Sequence, residues 1–241
     1  MKRLVSLLLA LVAMHALAAD ARRSGYDDMS LQVQAMQRDD AVNPAMLWVK
    51  EGEAMWARDC ARCHGDDATS MRGVAARYPA FDAASQRPIT LSQRLASHQR
   101  TTPLALESDA LLSLESYVAF QSRGLPIAPP ADPRLQPFRE RGEQLYRRRM
   151  GQLDFSCAQC HDEHAGQHLG GSTIPQAHPT GYPMYRLEWQ GMASLQRRLR
   201  SCMNGVRAEP FAYGAPELVE LELYLNARAA GMRIETPAVR P

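Results

Sequence analysis

The chain has 241 residues, 45% of them hydrophobic and 22% charged, with a formal net charge of +2. A chain of this length and apolar content buries two small cores. A charge so near neutrality excludes the cationic excess on which general nucleic-acid binding rests.

The chain opens with Met1-Lys2-Arg3 and the apolar run Leu4 to Ala13, followed by Ala16-Leu17-Ala18. A charged start, a hydrophobic stretch too short to span a bilayer and an A-x-A site are the parts of a secretory signal, so residues 1–18 are expected to be removed. No later stretch is apolar for long enough to be a membrane span, which places the mature chain in a bacterial periplasm or its equivalent.

Past the signal, Gly52-Glu53-x-x-Trp56 leads into Cys60-Ala61-Arg62-Cys63-His64. The pattern C-x-x-C-H sets two thiols about one turn apart, placed to add to the two vinyl groups of a haem, with an imidazole next to ligate the iron. A C-x-x-C disulfide or a Cys/His zinc site are the alternatives, and each makes the histidine coincidental. Next come Leu91 to His98, a candidate helix, and Leu111-x-x-Leu114-Glu115-x-Tyr117, whose apolar spacing of three and four is that of an amphipathic helix.

Five prolines between Gly124 and Pro137, with little apolar periodicity, read as an extended linker. Beyond it the pattern repeats. Gly142-Glu143-x-x-Tyr146 precedes Cys157-Ala158-Gln159-Cys160-His161, and Leu218-x-x-Leu221-Glu222-x-Tyr224 closes the second half, with Pro216 and Gly231 where a helix starts and stops. An all-α protein follows, with two tandem helical domains at 19–123 and 138–241, a proline-rich linker at 124–137 and two covalent haem c groups. Cys60 and Cys63 would hold haem 1, with His64 as its proximal ligand. Cys157 and Cys160 would hold haem 2 over His161. The tail from Arg233 to Pro241 is polar and contains proline, and reads as a segment that wraps a partner or is disordered.

Aligning the repeats sets Leu91–His98 on Leu195–Cys202, so His98 falls on Cys202. Imidazole in one half and thiol at the matching position of the other is the pattern expected of sixth axial ligands, with Met71 an alternative for the first iron. Cys202 is also the cysteine left over by the two haem motifs. Arg198 stands four residues before it, on the same helical face, with Arg197 and Arg200 flanking and Arg207 beyond. Fixed positive charge stabilises a thiolate and offers donors to an oxyanion. His164, His168 and His178 read as loop or structural residues.

The order of elements in each half resembles a cytochrome c domain. The segments Gly181-Tyr182-Pro183-Met184-Tyr185-Arg186-Leu187-Glu188-Trp189 and Arg198 to Pro210, with Gly214, Leu221 to Leu225 and Ile234 to Pro237, closely resemble SoxA, the haem-bearing A subunit of the SoxAX cytochrome of bacterial sulfur oxidation. That resemblance implies an L-cysteine S-thiosulfotransferase. It implies a SoxX-type monohaem cytochrome c partner, thiosulfate as substrate, a cysteine of the SoxYZ carrier protein as acceptor and a soluble cytochrome c as electron acceptor. By position, Cys202 is implied to be both haem ligand and persulfide nucleophile, and Arg198 to bind substrate. The family commonly has a cysteine as sixth ligand of haem 1, where this chain has His98. A thiosulfate dehydrogenase forming tetrathionate and a plain dihaem electron carrier are the competing functions. A dihaem peroxidase would need an iron with an open position.

Overall fold

A computed structural model describes residues 21–98 and 103–241. The expected signal segment lies outside the described residues.

Each half is organised by one helix crossing. Helices α2 (Met46–Asp59) and α5 (Asp109–Phe120) meet at Gly52, where a Cβ would stand 2.0 Å from the Ser113 carbonyl oxygen. Helices α6 (Gln136–Arg147) and α8 (Pro216–Arg228) meet in the same way at Gly142, where a Cβ would stand 2.0 Å from the Glu220 carbonyl oxygen. Only glycine lets the two backbones approach so closely. Four residues on, one turn along the same face, Trp56 packs on Tyr117 at 5.9 Å and Tyr146 on Tyr224 at 5.3 Å between ring centroids. The repeated glycine-to-aromatic spacing is therefore the imprint of two equivalent helix crossings. Around each grows an apolar cluster, with Val49, Trp56, Leu114 and Val118 in the first and Leu145, Tyr146, Leu221 and Leu225 in the second. Each such side chain contributes roughly 2 kcal/mol by leaving water.

In each crossing pair the first helix leads to a Cys-x-x-Cys-His turn, the short helix α3 (Ala61–His64) in the first half and a five-residue π-helical turn (Gln159–Glu163) in the second. Each half then runs through a hairpin into a further helix. Strands β1 (Ala80–Asp82) and β2 (Arg87–Ile89) precede α4 (Leu91–His98). Strands β3 (His168–Leu169) and β4 (Ser172–Thr173) form a small separate hairpin. Strands β5 (Met184–Arg186) and β6 (Gly191–Ala193) precede α7 (Leu195–Gly205). Helices α4 and α7 are each capped by the residue before them. Thr90 and Gln93 exchange side chain to backbone hydrogen bonds at 2.9 and 3.1 Å, and the Ser194 hydroxyl accepts from Arg197 N at 3.1 Å.

Helices dominate, as expected, but the strands were not foreseen, being only two or three residues long. A helix that the periodicity did not reveal, α1 (Leu31–Arg38), is capped by Ser30 and places Gln37 against the Val239 amide at 3.0 Å. The tail departs most from expectation. Residues Ala238–Arg240 form β7, parallel to β5, with Ala238 and Val239 fully buried. The Arg240 guanidinium, bonded to Glu235 and Gln37, closes this corner.

The proline-rich stretch is also held in place. Gly124 N and Ile127 N donate to the Ile234 and Met232 carbonyls, each at 2.8 Å, and Ala128 N to Ala76 at 2.9 Å. Helix α6 begins at Gln136, so Pro137 lies in its first turn, where a missing N–H costs nothing.

Candidate active site

The second Cys-x-x-Cys-His turn is set by a reciprocal cap. Ser156 N donates to the Gln159 side chain at 2.9 Å, and Gln159 N to the Ser156 hydroxyl at 3.2 Å. Tyr146 anchors the turn from α6, its hydroxyl donating to Asp162 at 2.8 Å. His161 Nδ1 lies 2.7 Å from the Pro175 carbonyl oxygen. A ring held that way carries its proton on Nδ1 and leaves the Nε2 lone pair for a metal.

Cys202, from α7, is half-buried and within hydrogen-bonding reach of His161. Burial alone pushes its thiol up, but His161, Arg198 and Arg186 together more than offset this, so the thiol titrates below its ordinary range. Cys157, buried without such cations, is pushed up to about 12. Of the influences that lower Cys202, the hydrogen bond to His161 is the largest and the charge of Arg198 comes next. Arg198 is stabilised in turn, chiefly by Cys202.

The structure sorts the sequence-predicted arginines. Arg197 stacks over Trp189 at 4.6 Å, while Arg200 stacks over Tyr213 at 4.5 Å and donates to the Phe211 carbonyl. Arg207 is exposed. Arg198 alone of the four acts on Cys202, and the second cation is one that sequence reasoning passed over. Arg186, on β5, sits over Trp189 at 5.1 Å, pairs with Glu188 at 2.7 Å and keeps a buried Nε without a hydrogen-bond partner. Tyr182 was also missed. Burial pushes its hydroxyl up to about 12, so beside Arg198, Arg186 and Cys202 it remains a neutral donor at ordinary pH. Both lie in the Gly181 to Trp189 segment that carried the family resemblance, but nothing in their spacing links them to Cys202, which lies on another element.

In the first half, the His64 and His98 rings stand 5.8 Å apart between centroids and tilted by 56°. Trp56 packs on His64 at 5.7 Å and donates to the Gly65 carbonyl at 2.8 Å. Cys60 is half-buried, Cys63 exposed, and Met71 packs into the apolar cluster of that half. Two imidazoles from different elements, opposed at this distance above a Cys-x-x-Cys pair, fit the ligand set of a covalently held haem. In the second half the His161 imidazole and the Cys202 thiol, also from different elements and close to one another, would serve as the corresponding pair. His164 and His168 are exposed, and His178 binds the Arg23 carbonyl at 2.8 Å.

The family model described as SoxA/TsdA, cytochrome c domain, matches residues 45–127 and 141–234. Over 233 residues the chain is 35% identical to the L-cysteine S-thiosulfotransferase subunit SoxA of Pseudaminobacter salicylatoxidans, covering 92% of this chain and 82% of that protein. It is 33% identical to the subunit of the same name from Rhodovulum sulfidophilum, over 92% of this chain and 81% of the relative. The crystal structure of SoxXA from P. pantotrophus superposes with a TM-score of 0.86 at 30% identity, covering 91% of this chain and 87% of that one. The chain therefore belongs to the SoxA/TsdA cytochrome c family, and among its members to SoxA.

Proposed function

We propose that this protein is the catalytic subunit of an L-cysteine S-thiosulfotransferase, which oxidatively joins thiosulfate to a cysteine of a SoxYZ carrier protein. The observation that carries the reading is a single thiol, Cys202, which lies outside both Cys-x-x-Cys-His motifs and is set beside His161, Arg198 and Arg186. A plain electron carrier would leave the pairing of Arg198 with Cys202 without a purpose.

The reaction joins a carrier thiolate to the outer sulfur of thiosulfate, R–S⁻ plus S₂O₃²⁻ giving R–S–S–SO₃⁻ and two electrons. Cys202 is the persulfide nucleophile and Arg198 the substrate-binding residue, its planar fork suited to the sulfonate oxygens. Arg186 adds a second positive charge and Tyr182 a neutral hydroxyl, so the dianion meets donors on more than one side.

The cytochrome c domain implies covalent haem c, and the chain is read as two cytochrome c-like domains, 19–123 and 138–241, joined by 124–137, with one haem in each. Haem 1 would be held by Cys60 and Cys63 with His64 and His98 axial, and haem 2 by Cys157 and Cys160 with His161 and Cys202 axial. Each haem, when bound, accepts one electron, so a two-electron coupling calls for a second iron, supplied by a SoxX-type monohaem subunit, before transfer to a soluble cytochrome c. The setting is periplasmic. The opposed His64 and His98 rings, with Met71 packed among core residues, support His98 as the sixth ligand of haem 1.

The test is turnover of the haem-loaded complex with thiosulfate, a carrier bearing a free cysteine and oxidised cytochrome c. Reduction should depend on the carrier, vanish in Cys202→Ala and fall at least about a hundredfold in Arg198→Ala. Reduction without carrier, yielding tetrathionate, would establish a thiosulfate dehydrogenase instead. Turnover untouched by Cys202→Ala would leave a dihaem electron carrier. In the same preparations His98→Ala should alter the spectrum of one haem only, and Met71→Ala neither.

A further inference from the structure

The face between the two halves holds one buried and one half-buried acid group that the sulfur chemistry does not use. Glu115 in α5 and Glu222 in α8 occupy matching positions of the two final helices, each following a fully buried leucine. Each is bonded to the first turn of the helix that carries its half's sixth-ligand candidate. Ser92 donates to Glu115 at 2.6 Å, and Ser92 shares α4 with His98. Gln196 is hydrogen-bonded to Glu222 and shares α7 with Cys202.

Both carboxyls line one cavity of about 80 Å³, walled by residues of both halves, including Thr90, Thr180, Ser194 and Asn226. A smaller chamber sharing Thr90, Ser92, Glu115 and Ser194 adds Glu107, which accepts from the Ser194 amide at 3.2 Å. The other titratable groups on these walls are Tyr78 and Tyr182 in the larger chamber and Tyr213 in the smaller; among the described residues no lysine, arginine or histidine lines either. Thr180, only 2% exposed, has a buried hydroxyl with no protein partner on the wall of the larger chamber. A polar space of this size holds about two or three waters, and water is the partner such a hydroxyl requires.

Carboxylates without a cation in such a space favour the protonated form. Burial pushes Glu115 up to about 7 and Glu222 up to about 8, the latter raised further by Glu115 and Glu107. Both are thus poised near neutrality, and negative charge arriving on either side of the cavity draws a proton in.

We propose that Glu115, Glu222 and the water they enclose form a proton-storage site between the halves, which takes up a proton from solvent when an electron enters the chain and returns it when the electron leaves. The electron comes from the oxidation of thiosulfate and carrier thiolate and departs to the cytochrome c acceptor; the proton exchanges with bulk water. The inference rests on the two-haem reading, and on the proposed sulfur chemistry only for the source of the electron.

Spectroelectrochemical titration of the haem-loaded protein between about pH 6 and pH 9 tests it, beside Glu115→Gln, Glu222→Gln and the double variant, which keep size and hydrogen bonding. Haem content per chain is measured first, and fewer than two in the wild type would refute the two-haem reading itself. With two present, the midpoint potential of at least one should fall as pH rises, more weakly in each single variant and not at all in the double. An unchanged slope in the double variant, or flat potentials in the wild type, would overturn the proposal. Infrared difference spectra of reduced minus oxidised wild type need no variant. They should gain a protonated-carboxyl stretch that shifts in deuterium oxide, and its absence would equally overturn the proposal.

Discussion

Replacing Gly142 by alanine puts one methyl group where two helices already touch. The new Cβ would lie 2.0 Å from the Glu220 carbonyl oxygen, 2.7 Å from its carbon and 2.9 Å from Tyr224 Cβ. An ordinary carbon–oxygen contact is about 3.3 Å or longer, so α6 and α8 must part by roughly 1 Å, and the obstructing atoms are largely backbone, which no rotamer change can move aside. Overpacking of this kind costs about 3 kcal/mol, the upper part of its usual range. For a chain of this size that lowers Tm by about 6–12 °C. Parting the helices also displaces Tyr146, whose hydroxyl anchors Asp162 in the second Cys-x-x-Cys-His turn. Thermal unfolding followed by circular dichroism, with the haem absorbance recorded alongside, measures both effects. Gly205→Ala is the control, since a Cβ there meets no atom within 4 Å and alanine is the better helix former. A loss below about 1 kcal/mol for Gly142→Ala, or one no larger than the control's, would refute the reasoning.

Gly52→Ala, with 2.0 Å to the Ser113 carbonyl oxygen, should behave like Gly142→Ala while perturbing the first haem motif. Stability should fall as pH rises from about 4.5 toward 8. Glu115 and Glu222 are raised to about 7 and about 8, so over that window the folded chain binds more protons than the unfolded one. Each carboxyl contributes a negative slope of up to about 1.4 kcal/mol per pH unit between its unfolded and folded values. Urea midpoints taken across the window should decline in the wild type and flatten in the double glutamine variant, and a wild-type midpoint that rises with pH would contradict this. Deleting residues 238–241 should cost about 3–5 kcal/mol, because Ala238 and Val239 are fully buried and the Arg240 guanidinium goes with them. An unchanged urea midpoint in the truncated chain would show the last strand to be dispensable.

Much of the chemistry was legible in the sequence because covalent haem attachment is a local requirement. To hold haem as proposed, Cys60, Cys63 and His64, and again Cys157, Cys160 and His161, would have to lie within one turn of each other, so their spacing survives in the linear text. The duplication was legible for the same reason, since Gly52 to Trp56 and Gly142 to Tyr146 each record a helix crossing within five residues. Arg198 and Cys202 were readable as a pair because a helix brings residues four apart together.

What the tertiary structure decided lies between elements. Arg186 and Tyr182 reach Cys202 from the β5 segment, while Arg197 and Arg200, nearer in sequence, are turned onto aromatic rings. The tail, polar and proline-containing to the eye, becomes a buried strand because β5 offers it an edge and Gln37 and Glu235 receive Arg240. Glu115 and Glu222 read as polar positions on amphipathic helices, and only the packing of one half on the other brings both to the wall of one cavity. Bonding chemistry with a fixed short span is written along a chain. Burial and electrostatic field depend on which distant surfaces meet, and they exist only once the chain has folded.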